Sequence, residues 1–189
     1  MIGYHFTGDT LRDGRPIPPI GEWLEHDGPV VPCASGLHAS AHPFDALTNA
    51  PGNMLHRVDV EGDLVEHGDP VDKVAGRRRR RLATIDAEPL LREFARWCAS
   101  EVLHLWDATQ VVKDYLATGD EATRPAARAA AEEAAWAAWE AAAAGAAARA
   151  ARAAAGEAAW AAAWAAARDA QRAKWLSMVE QAFTEVTTK

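Results

Sequence analysis

From Glu121 to Thr187 the chain is dominated by alanine, with arginine, glutamate and tryptophan spaced along it. Alanine has the best intrinsic helix propensity and Glu and Arg follow closely, so the whole stretch is expected to be helical. Such a helix cannot supply a core of its own. At about 25 cal/mol per Å² of apolar surface buried, an alanine contributes far less than a leucine. The bulk in this region comes from an internal repeat: Glu133-Ala134-Ala135-Trp136-Ala137-Ala138-Trp139 recurs, with one inserted alanine, as Glu157 to Trp164. Each copy places two indoles three or four residues apart, on one helical face. Trp136, Trp139, Trp160 and Trp164 are therefore the self-association candidates. Leaving them in water would forfeit roughly 1.5–3 kcal/mol each relative to full burial. At least three of the four are expected to be buried, either against the other copy in a hairpin or in an interface with another chain. Gly145 and Gly156 are the expected places for a kink or turn.

This tail distorts the composition. Apolar residues make up 49% of the chain, but many are tail alanines, and the large apolar side chains concentrate before residue 117. The formal net charge of −7 argues against general nucleic-acid affinity. Charged residues interrupt the alanine tract, and no uncharged stretch reaches the roughly 20 residues of a spanning helix, so no membrane association is expected. Met1-Ile2-Gly3-Tyr4-His5 lacks the basic region and apolar run of a signal peptide. Cys33 and Cys98 form no CxxC pair and are expected to be reduced, in a cytoplasmic protein.

The first 119 residues read as an α+β head. Ile2 to Phe6 is a short strand, followed by a Gly/Pro-dense loop. Pro43 sits in the first turn of a short helix. Met54 to Val60 alternates with a period of two, the mark of a half-buried strand, and Val71 to Ile85 is a further extended segment. Few connections are long enough for a crossover helix, which favours a small, mostly antiparallel sheet. After Pro89 the period changes: Leu90, Leu91, Phe94, Trp97, Cys98, Val102 and Leu105 form a helical stripe. Asp107 can cap a second helix, ended by Gly119. Both helices are expected to pack on the sheet, with residues 120–189 forming the tail as a hairpin or one long helix.

Two groups of residues in the head carry candidate chemistry. The first joins Tyr4-His5-Phe6-Thr7 with Cys33-Ala34-Ser35-Gly36-Leu37-His38-Ala39-Ser40. The pattern Cys-x-x-Gly-Leu-His, a short helix, then Leu55-His56-Arg57-Val58-Asp59-Val60 and Asp72-Lys73-Val74, resembles a family of uncharacterised phage and actinobacterial proteins, several with similar Ala/Trp-rich tails. That resemblance implies no activity. The same residues more weakly resemble ADP-ribosyltransferase-like folds, which open with a strand ending Tyr-His-Gly-Thr and then present Gly-Leu-Tyr-x-Thr/Ser. Tyr4, His5, Thr7, Gly36, Leu37 and Ser40 match; Phe6 stands where a glycine is usual and His38 where a tyrosine is. The resemblance implies a nucleotide site of His5, Thr7, Gly36, His38 and Ser40, with His5 on the ribose of NAD and His38 stacked on nicotinamide; it identifies no catalytic glutamate. Read from the residues alone, His38 beside a tight glycine turn satisfies local backbone groups. Cys33, His38 and His42 have the side chains for zinc, but Cys-x4-His-x3-His is not a standard ligand spacing, and no metal is expected.

The second group is Arg77-Arg78-Arg79-Arg80-Arg81. On an extended strand alternate arginines face opposite sides, so two or three could meet a partner or hold phosphates. Alternatively the run is a solvated sheet edge whose charges prevent edge-to-edge pairing. No aromatics interleave it, so base stacking is not indicated.

The leading expectation is a non-enzymatic interaction or assembly module of a phage or mobile-element protein. Its partner is a protein, a host component or itself through the tail, and it needs no cofactor. The alternatives are an ADP-ribosyltransferase-like enzyme or degenerate relative that binds NAD, and an electrostatic nucleic-acid binder through the arginine run.

Overall fold

The computed structural model describes the backbone of residues 1–144 and 146–187, and the side chains of residues 1–137 and 164–187. Its elements are β1 (Ile2–Thr7), β2 (Trp23–Glu25), β3 (Leu37–Ala39), α1 (Pro43–Leu47), β4 (Met54–Glu61), β5 (Val65–His67), β6 (Lys73–Gly76), β7 (Arg78–Asp86), α2 (Glu88–Glu101), α3 (Gln110–Thr118), α4 (Arg124–Ala144) and α5 (Ala146–Thr187). The class is α+β, with small antiparallel sheets and a long C-terminal helix. Among the described residues no helix is long and apolar enough to cross a membrane.

The elements gather into two compact units. The first contains Met1–Leu90 and the segment that begins at Arg172; the second is Leu91–Gln171. This division differs from a boundary at residue 119. The reason is a stripe of bulky residues near the chain's end: Trp175, Met178, Val179 and Phe183, at three- and four-residue spacings, are all buried. That stripe supplies the apolar face that alanine cannot.

In the first unit, a four-stranded antiparallel sheet has the order β1-β4-β7-β2, and a three-stranded sheet has the order β3-β6-β5. β4 lies between two neighbours with both faces covered: Leu55, His56, Val58, Asp59 and Val60 are all buried. It is an interior strand and not the half-buried one its alternation suggested. The sheets meet where Tyr4 and Ser40 exchange backbone hydrogen bonds of 2.8 and 3.0 Å. Gly3 allows that approach, since a Cβ there would lie 2.7 Å from the Ser40 carbonyl oxygen. Ala39, Val58 and Val60 pack together between the two layers.

The other face of the larger sheet carries the C-terminal helix segment. Tyr4 and Phe183 lie 6.4 Å apart by ring centroid, and the Arg57 guanidinium sits 5.2 Å over Phe183. Glu180 takes hydrogen bonds from Tyr4 and Arg57, and Arg172 pairs with Asp45 on α1.

The arginine run lies in an interior strand, so the solvated-edge reading fails. Arg57 pairs with Ala83 and Val58 with Arg81, leaving Leu82 as an extra residue. This β-bulge resets the alternation. Thr84, Arg81 and Arg79 then share one face, while Arg80 and Arg78 point to the other. Arg78 pairs with Glu61 at 2.6 Å and Arg80 with Asp59 at 3.0 Å. Both guanidinium carbons lie 4.5 Å over the Trp23 ring. Arg77, at the junction of β6 and β7, pairs with Asp63.

In the second unit α3 packs on α4 through Ala108, Val112 and Ala127, with Trp106 and Tyr115 around them. Phe94 and Trp97 of α2 stack at 6.0 Å. Thr109, and not Asp107, is the N-cap of α3, and Gly119 closes it in the left-handed conformation at φ 68°. Trp136 and Trp164 are 62% and 67% exposed, so within one chain the expected burial is not met for these two. Trp139 and Trp160 lie outside the described side chains, and whether α4 and α5 form a hairpin or one helix turns on residue 145, also outside the description.

Candidate functional site

On the face of the larger sheet opposite the C-terminal helix, β1, β3, α1 and the loop after β1 enclose a cleft of about 550 Å³. That volume falls within the range of small-molecule sites. Local sequence builds each wall. Gly36 turns the chain into β3 with φ 101°, and a side chain there would press on Val30 at 3.2 Å. Cys33, itself left-handed at φ 66°, donates its backbone N–H to His38 Nε2 at 3.2 Å. His42 caps α1 by accepting the Phe44 N–H at Nδ1, 3.1 Å away. The two histidine rings considered for zinc thus do other work, while Cys33 is an exposed free thiol. Among the described residues no group of three or more His, Cys, Asp or Glu is placed to hold a metal ion.

All five residues read as a nucleotide site line this one cleft: His5, Thr7, Gly36, His38 and Ser40. Their roles differ. Thr7 is 3% exposed and its hydroxyl is committed, donating to the Gly8 carbonyl at 2.8 Å while meeting His56 Nε2 at 2.8 Å. Because the Thr7 proton goes to Gly8, His56 carries its own proton on Nε2. Its Nδ1 then accepts from Thr84 Oγ1 at 2.8 Å, and Thr84 accepts from Arg81 Nη1 at 3.1 Å. With this assignment every donor in the hydrogen-bond chain has one acceptor, as suits a neutral His56 imidazole. Burial, with the charges of Arg81 and Arg79, lowers its pKa to about 3.

His5 pairs across the sheet with His56 but has no hydrogen-bond partner for its ring among the described residues, and it faces the cleft. Burial pushes its pKa well down, helped by Arg79, His56, His38 and Arg12. His38 is also held neutral, by burial and by Arg79, Lys73 and Arg12, with a hydrogen bond to the Gly36 backbone opposing them. The local backbone role expected of His38 is therefore present, and one side of its ring still lines the cleft.

Arg79 was hidden in the arginine run and stands at the cleft's floor, 8% exposed. One nitrogen donates to the His38 carbonyl at 2.5 Å. Its other N–H groups are not sealed from the open volume. Burial lowers its pKa to about 10, so it remains a cation at neutral pH. Arg12 and Lys73 also line the cleft, and none of these three cations forms an ion pair among the described residues. The two carboxylates in the lining are committed, Asp13 to Arg15 at 2.7 Å and Asp45 to Arg172. A cleft in a chain of net charge −7 therefore presents three cations that form no ion pair among the described residues. The period of two through Arg77–Arg81 could signal that some arginines face inward. The Leu82 bulge decides which, and nothing in the residue types marks it.

Searches of curated proteins and of solved structures find no match. Residues 1–93, which carry both sheets and the cleft but not the alanine-rich tail, are similar to the family described as Domain of unknown function (DUF7666).

Proposed function

We propose that the head is a nucleotide-binding module whose cleft accepts an NAD-type ligand. The observation that carries this reading is the convergence of His5, Gly36 and His38, from two segments some thirty residues apart in sequence, on one cleft with Arg79 at its floor. A neutral imidazole without a protein partner, such as His5, suits a ribose hydroxyl, to which it can donate or accept. The partly exposed His38 ring offers a face for a planar heterocycle. Both lining carboxylates are tied to arginines, so the reading extends to binding and not to a reaction. The test is thermal: NAD, ADP-ribose and ATP are titrated against the full chain while the melting temperature is followed. A ligand that binds only the folded state raises it progressively by mass action. No rise with any of the three at millimolar concentration would overturn the reading.

A second reading, assembly through the tail, draws on the exposed indoles of Trp136 and Trp164. Exposed aromatic surface suits a protein partner or a second copy. Sedimentation at increasing concentration tests it, and a monomer throughout would leave self-association without support. An origin among phage or mobile-element proteins is supported by the resemblance that runs from Cys33–His38 through Leu55–Val60 and Asp72–Val74, together with the Ala/Trp-rich tail.

A further inference from the structure

The cleft contains a charge that the protein leaves unanswered. Arg79 is more than nine-tenths buried and has a backbone carbonyl as its one hydrogen-bond partner among the described residues. A buried cation is costly unless it is paired, because taking it out of water costs several kcal/mol that only an opposite charge and good hydrogen bonds repay. Its neighbours in β7 show the ordinary solution: Arg78 and Arg80 have Glu61 and Asp59. Among the described residues no carboxylate on the cleft face answers Arg79; Asp45 and Asp13 are already taken by Arg172 and Arg15. Arg12 and Lys73 add two more cations to the same lining, again without ion pairs among the described residues. The three act together on His38, each disfavouring its protonated form.

We infer that Arg79, with Arg12 and Lys73, forms a phosphate subsite that takes the diphosphate of a small phosphate-bearing ligand. A guanidinium presents a planar fork that matches two phosphate oxygens, and Lys73 supplies a mobile point charge for a third. Neutral His5 and His38 beside it leave room for a sugar hydroxyl without adding or cancelling charge. The enclosed volume of about 550 Å³ suits a mononucleotide or dinucleotide and not a duplex. This subsite rests on the cleft being a ligand site and deepens the nucleotide reading by naming which end of the ligand is anchored and by what.

The experiment is calorimetric titration of the full chain at fixed ionic strength with inorganic pyrophosphate, NAD and a short DNA duplex, for wild type, Arg79→Gln, Arg79→Lys and Lys73→Gln. The expected result is that pyrophosphate binds wild type and competes with NAD. Lys73→Gln should weaken both about tenfold, the scale of one hydrogen bond to a charged group. Arg79→Gln should abolish pyrophosphate binding, and Arg79→Lys should restore part of it. Should Arg79→Gln not fold, the wild-type competition and Lys73→Gln decide. If NAD binds all four proteins equally and pyrophosphate does not compete, the subsite is wrong while the nucleotide reading stands. If pyrophosphate binds wild type and its binding is lost in Arg79→Gln but NAD does not bind, the subsite holds and the NAD reading falls. If nothing binds, both are overturned. A duplex that binds more tightly than pyrophosphate, and loses affinity with Lys73→Gln, would replace the small-anion subsite with a nucleic-acid surface.

Discussion

The two faces of the larger sheet use the same strands for opposite purposes. On one face Tyr4, Phe6, Leu55 and Ile85 are buried, and the unit adds Trp175, Val179 and Phe183 from the C-terminal helix segment. On the other, His5, Thr7, His56, Thr84, Arg79 and Arg81 alternate with those same residues along the chain. The apolar face gains stability from area removed from water. The polar face also buries Val58 and Val60 against Ala39, but its polar groups persist because nearly every one has a partner of fixed direction, from Arg81 through Thr84, His56 and Thr7 to Gly8. Where that network stops, at His5 and Arg79, the cleft begins. The lesson is that a period of two separates a helix-covered face from a hydrogen-bonded face within one sheet, residue by residue.

The comparison breaks most visibly on the apolar side. Phe183→Ala should cost about 3–5 kcal/mol, the usual range for emptying a well-packed aromatic site. Urea unfolding followed by fluorescence measures it. A loss under about 1 kcal/mol would mean that the C-terminal helix is not part of the head's core.

The polar face should respond to acid instead. His56 keeps a folded-state pKa of about 3, lowered from an ordinary 6.5 chiefly by burial. The folded pKa is depressed, so below pH 6.5 the unfolded chain takes up a proton that the folded chain refuses. Stability is therefore full above pH 6.5 and falls as pH drops toward 3, by up to about 1.4 kcal/mol per unit for one such group. His5, pushed down in the same direction, adds to the slope. Urea midpoints at pH 7 and pH 4.5 should differ less in His56→Gln than in wild type. Equal differences would contradict a buried neutral imidazole.

A third, smaller contrast compares two arginines three positions apart. Arg81→Gln removes donors to the Pro18 carbonyl and to Thr84, at the head of the polar chain, and should cost roughly 1–3 kcal/mol. Arg78→Gln loses a half-exposed pair with Glu61 and a contact with Trp23, and should cost less than about 1 kcal/mol. Matching losses in guanidinium unfolding would erase the distinction between the faces at β7.

Much of this arrangement was legible in the residues. The strand at Ile2, the helix opened by Pro43, the strand from Met54 and the cap at Gly119 each follow from local chemistry that the fold preserves. So does the cleft, in part: the Tyr4–Thr7 and Gly36–Ser40 elements do lie side by side. Three things escaped. The short strands β2 and β5 are fixed by their partners and not by their own three residues, too few to show a period. The phase of the arginine run depends on a bulge at Leu82. The docking of Trp175 to Phe183 was masked by the alanine around it, although their spacing of three and four was visible. In each case long-range pairing overrode what a local window could report.

The central claim, that the polar face ends in a nucleotide cleft, is most directly tested by following the histidine ring resonances during titration with NAD. Five of the six histidines in the first unit separate by environment, His42 being the cap of α1: His5 and His38 line the cleft, His56 is sealed beneath it, and His26 and His67 lie elsewhere on the head. The account predicts saturable shifts at His5 and His38, little change at His56, and none at His26 or His67. Unchanged His5 and His38 signals at millimolar NAD, or equal small shifts at all five, would contradict it.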